Sequence, residues 1–149
     1  MRTRPSKIGA AFVCLAVAAG SFFGMSATVA NADSCWDHNG SLMRLTANGQ
    51  NRTMMYETTP HSWQGAAGVR RGTVLFEGRN VGDYYTGTAR VFSRFCPGSP
   101  LLYGVEGPVT RPSGQITITM RGTRDANDQC AATGRMVTDT LVFRFVREC

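Results

Sequence analysis

The spacing of apolar residues changes character once along the chain, near residue 32. Before that point there is one apolar stretch, 8–24, rich in Ala, Val and Phe. After it, apolar residues come in short runs rich in Val, Ile, Thr, Tyr and Phe, cut by Gly, Asn, Asp and Pro. That is the pattern of short strands separated by turns. No three-four spacing with caps follows Ala32, so no helix is expected there.

Eight strands are expected, over 41–46, 52–58, 72–77, 84–93, 101–107, 115–121, 130–137 and 140–146. In the sixth, Ile116, Ile118 and Met120 alternate with Gln115, Thr117, Thr119 and Arg121. In the eighth, Leu141, Phe143 and Phe145 share one face. Such alternation gives one buried and one wetter face, as in antiparallel sheets. The Asn48-Gly49 pair reads as a tight hairpin turn, because both residues accept positive φ. The turns are short except at 59–71. A meander of this size must protect its edges, and closing the sheet on itself does so completely. The expected fold is all-β: an antiparallel meander closed into an eight-stranded barrel, with a two-sheet sandwich as the alternative.

The first 32 residues have a separate logic. Arg2, Arg4 and Lys7 precede the apolar stretch, and Ala30-Asn31-Ala32 follows it. A basic start, a short apolar core and an A-x-A site form a secretory signal peptide. The apolar core is too short to span a bilayer, which needs about 20 residues. Cleavage after Ala32 leaves a single domain over 33–149, and the net charge falls from +6 to +3 as three basic residues leave. The remaining cations are all Arg and are interspersed, which gives no nucleic-acid footprint. The protein is expected to be periplasmic or secreted, and not integral to the membrane after cleavage.

Cys35, Cys96, Cys130 and Cys149 remain. An even number of cysteines in a small exported domain reads as two disulfides. With the strands assigned above, all four fall at one rim of the barrel. Cys35–Cys149 then pins the closing seam, which leaves Cys96–Cys130; the shared rim is equally compatible with the other two pairings. None lies in a C-x-x-C and neither histidine is near them, so no metal site is expected.

The segment Trp36-Asp37-His38-Asn39-Gly40-Ser41-Leu42-Met43-Arg44-Leu45, with Gly49 and Tyr56, resembles the start of an avidin-type or lipocalin-type (calycin) barrel. The resemblance implies that Trp36 closes the barrel core, with Arg144 or Arg147 packed against it. The later ligand residues of avidins have no counterpart, so vitamin binding is not implied. The runs Tyr85–Phe92, Val105–Val109 and Asp139–Phe143 resemble small exported proteins of Gram-negative bacteria, a likeness that carries no function. Periplasmic lysozyme inhibitors are similar in architecture, but their motif is missing.

Few residues suggest chemistry. Asp37 and His38 are adjacent, so on an extended chain they point apart; they read as a turn into the first strand. The long loop holds His61 and Trp63 and ends at Arg70 and Arg71. Long loops often carry function, and these four residues form the candidate binding lip. There is no nucleophile elbow and no phosphate loop. The sequence therefore points to an exported, non-enzymatic binding module for a small ligand or partner protein, with no cofactor and no catalytic set. A periplasmic inhibitor of a hydrolase such as lysozyme, or an envelope-associated structural protein, is the alternative.

Overall fold

The computed structural model describes residues 33–127 and 130–149. The signal peptide expected over 1–32 lies outside the described residues. Eight strands follow one another: β1 (Ser34–His38), β2 (Ser41–Asn48), β3 (Asn51–Tyr56), β4 (Val74–Val81), β5 (Tyr84–Val91), β6 (Leu101–Thr110), β7 (Thr117–Asp125) and β8 (Met136–Glu148). A short helix, α1 (Ser62–Ala66), lies between β3 and β4. Every strand pairs antiparallel with its sequence neighbours, and β1 pairs with β8, closing the barrel.

The fold is the expected closed meander, but the strand at each end differs from expectation. Residues 34–38 form β1 rather than a turn. Cys35 and Trp36 are buried, and so is His38, because β2 and β8 flank them on both sides. The seventh expected strand, 130–137, does not form as read. There the Asp125 carboxylate accepts the Thr133 and Gly134 N–H groups and holds a turn. Its last residues join the eighth in one long β8. The helix was also unexpected, since five residues are too few to show helical periodicity.

Two hairpins show how local chemistry sets the register. Asn39 and Gly40 both have positive φ (52° and 79°) and join β1 to β2 in two residues, as a type I′ turn requires. The β2–β3 turn is instead centred on Gly49-Gln50, with positive φ at Gly49 only, so Asn48 pairs with Asn51 inside the ladder.

Inward-facing Met43, Met54, Phe76, Ile118, Met120 and Phe143 are fully buried and fill the barrel. The wall coils tightly where Gly78 faces Gly87 across β4 and β5. A Cβ on either would run into the opposite backbone carbonyl, and the Phe76 ring covers both glycines. Only glycine permits that approach. Trp36 packs edge-on against Phe145 at 5.5 Å, with its indole N–H donated to Ser34. Arg144 and Arg147 are exposed, so the arginine packing implied by the calycin resemblance is replaced by Phe145.

Cys35 is bridged to Cys149, and Cys96 to Cys130. They do not share a rim. Adding β1 reverses β2–β7 relative to the sequence reading, and losing the expected seventh strand leaves β8 as it was read. Cys35–Cys149 therefore sits at the end bearing the termini of the barrel. Cys96–Cys130 ties the β5–β6 loop to the β7–β8 loop at the other end, here called the mouth.

Cys35–Cys149 closes a span of 114 residues. Replacing both cysteines by Ser is expected to cost about 4–5 kcal/mol in urea unfolding, by loop entropy. A loss under about 1 kcal/mol would show that the closure does not rely on the bridge.

Candidate functional site

At the mouth, the end of β1, the Asn39-Gly40 turn, the start of β2 and the end of β3 meet beneath α1. His38, Asn39, Ser41, Tyr56, His61, Trp63 and Gln64 line a cavity of about 180 Å³, the most enclosed of those described. Wider depressions, such as that between Tyr84, Pro108 and Arg121, are open furrows on the outer wall.

The roof is held by Gln64, which is buried. Its Nε2 donates to Ser41 Oγ at 2.8 Å, and its Oε1 accepts the His61 backbone N–H at 3.2 Å. The second bond is half of a capping box, made by a Gln at the third helical position. His61 Nε2 lies 3.0 Å from the Asn39 carbonyl. A carbonyl only accepts, so that nitrogen carries a hydrogen. Trp63 stacks on His61 with rings 16° apart and remains half exposed.

The floor is His38. Its Nδ1 lies 2.9 Å from the Val142 carbonyl, so Nδ1 carries the proton. Its ring stacks on Phe143 at 4.6 Å. Burial lowers its pKa, and the Val142 carbonyl and the Asp37 charge only partly oppose that. His38 is thus neutral near pH 7, with a lone pair on Nε2. Burial pushes the Tyr56 phenol up to about 12, so it stays protonated. No carboxylate, Lys or Arg lines the cavity. His38, Asn39, Ser41, Tyr56 and Gln64 offer it neutral donors and acceptors, which suits a small uncharged molecule. A nucleophile–base pair is not assembled: Ser41 is engaged by Gln64, and His38 leans on a backbone carbonyl rather than a carboxylate.

Of the candidate lip, His61 and Trp63 line this cavity, while Arg70 and Arg71 do not. Arg71 pairs with Glu57, which also binds Arg44, and Arg44 reaches Asp33. Arg70 is exposed. His38, Ser41, Tyr56 and Gln64 were not expected to line a site. Among the described residues, no three metal-ligating side chains converge.

No family model matches the sequence, and no curated protein does. Solved structures share its fold. The rhizavidin–biotin complex is similar to this chain with a TM-score of 0.52 and 14% identity, covering 80% of this chain and 96% of that one. The short afifavidin–biotin complex is similar with a TM-score of 0.48 and 16% identity, covering 77% and 89%. At these identities the likeness is one of fold alone, the closed eight-stranded antiparallel barrel.

The direction of the His38 shift sets a pH dependence. Below the ordinary histidine value of 6.5 the unfolded chain takes up a proton that the buried ring resists. Stability therefore rises with pH between the lowered folded pKa and 6.5, and is lost as pH falls through that window. Urea midpoints measured across it are expected to slope more steeply for the native chain than for His38→Asn. Equal slopes would contradict a buried neutral His38.

Proposed function

We propose that this protein is an exported, non-enzymatic binding barrel that takes a small, uncharged, hydrogen-bonding ligand into the mouth cavity beneath α1. The observation that carries this reading is the convergence of His38, Ser41, Tyr56 and Gln64 on one half-open cavity with no carboxylate, Lys or Arg in its lining. The packed core beneath leaves that space shallow. Its volume is below the roughly 300–1,000 Å³ of sites for drug-sized ligands, so a single-ring molecule fits it as it stands. A larger ligand requires α1 to lift, which breaks the Gln64–Ser41 bond.

Two further points support the reading. A solved barrel of similar fold, rhizavidin, is a complex with biotin, so the architecture is compatible with holding a small molecule. The apolar leader and two disulfides suit an oxidising compartment outside the cytoplasm. No feature of the cavity favours a hydrolase inhibitor.

The test is an amide-resolved NMR titration of the protein with biotin and with a panel of neutral single-ring amides and polyols. At least one is expected to shift His38, Ser41, Tyr56 and Gln64 together. Ser41→Ala and Tyr56→Phe are each expected to weaken that binding about three- to tenfold, the range for one hydrogen bond. Shifts confined to the outer wall, or none from any compound, would refute the site.

A further inference from the structure

We infer that the mouth of the barrel docks, rim down, onto an anionic lipid surface. This concerns the rim around the cavity rather than the cavity itself, and it stands whether or not a small ligand is held there.

The first observation is a charge asymmetry along the barrel axis. The mouth loops, 57–73, 92–100 and 126–135, contain Arg70, Arg71, Arg94 and Arg135 against Glu57 and Asp128. At the opposite end, the connections and terminal residues 33, 49–50, 82–83, 111–116 and 149 contain Arg111 against Asp33 and Asp83. Glu57 is already bound by Arg44 and Arg71. Asp125, at the base of the third loop, is consumed by Thr133 and Gly134. Among the described residues, Arg70, Arg94 and Arg135 form no ion pair, although the charge of Arg135 is felt by Asp125.

The second observation is that large apolar side chains stand among these arginines. Trp63 (49% exposed) rises from α1, Phe95 (56%) from the β5–β6 loop, and Met136 (59%) from the start of β8. The Arg94 guanidinium lies over the Phe95 ring, 5.0 Å from its centroid. Third, the loops form one platform. The β3–β4 loop touches the β5–β6 loop where Gly68 approaches Gly98, and the Cys96–Cys130 bridge joins the β5–β6 loop to the β7–β8 loop.

Arginines with interleaved Trp and Phe match a lipid interface. Aromatic rings settle at headgroup depth, and guanidinium groups pair with phosphate oxygens. A soluble polyanion would use the arginines but would have no need of exposed Phe95 and Met136. A ring of loop tips also suits a flat partner better than a threaded one.

The experiment is co-sedimentation of the exported protein with vesicles of phosphatidylcholine and phosphatidylglycerol in equal parts, and of phosphatidylcholine alone. Binding is expected only to the first and should fall as salt rises. Each surface arginine contributes about fivefold, so Arg70→Gln/Arg94→Gln/Arg135→Gln is expected to reduce partitioning about a hundredfold. Phe95→Ser should also weaken it, while Arg79→Gln/Arg147→Gln, away from the mouth, should not. Circular dichroism confirms that each variant is folded. Equal binding to both vesicles, or a triple variant within about twofold of the native chain, would overturn the inference. So would poly-glutamate binding as strong as vesicle binding with no effect of Phe95→Ser, which would assign the patch to a soluble polyanion.

Discussion

Antiparallel pairing of β1 with β8 removes the two open edges that an eight-stranded meander would otherwise present to water. The pairing joins residues more than a hundred positions apart, so its loop-closure cost is met only after the rest of the sheet exists. The ladder itself, the Trp36–Phe145 edge contact and the Cys35–Cys149 bridge all hold it. The mouth cavity depends on the same seam. His38 belongs to β1, but its ring rests on Phe143 and its proton goes to Val142, both in β8. Opening the seam would expose that imidazole to water and remove the cavity floor.

With closure in place, the two ends of the barrel take different roles. The middle is filled by large apolar side chains. At the end carrying the termini, the disulfide reinforces the seam. At the mouth, the second disulfide joins loops rather than strands, so it shapes the rim without closing it. The helical roof rests on a few polar contacts, chiefly Gln64 to Ser41 and His61 to Asn39. Net hydrogen-bond contributions of about 1 kcal/mol each make such a roof the least costly part of the molecule to move.

Much of this fold is legible in the sequence because strands announce themselves by alternation. Ile116, Ile118 and Met120 alternate cleanly, and they are the residues that face into the barrel from β7 and just before it. Residues 34–38 were hidden because Cys-Trp-Asp-His has no alternation of apolar and polar types; its buried positions are set by the strands on either side. The stretch 130–137 misled for the opposite reason, since a local turn around Asp125 outcompeted weak strand propensity. The missing first strand and the extra seventh together put the cysteines on one rim, although the seam argument led to the bridges found in the structure. For the site, the length of the 59–71 loop pointed to His61 and Trp63. Ser41, Tyr56 and Gln64 carry no such mark, because their convergence comes from barrel shear and from a helix of five residues. The Gln three residues after His61 was the one local signal for that helix.

The central claim is that the barrel is closed through β1 and β8, and amide hydrogen exchange tests it directly. If the seam is part of the cooperative core, the amides of Asp37 and Arg144, which pair across it, exchange as slowly as those in the β7–β8 ladder, while those of α1 exchange far faster. Rapid exchange along β1 and the end of β8, with the other ladders protected, would mean an open sheet. That result would contradict both the closure and the cavity built on it.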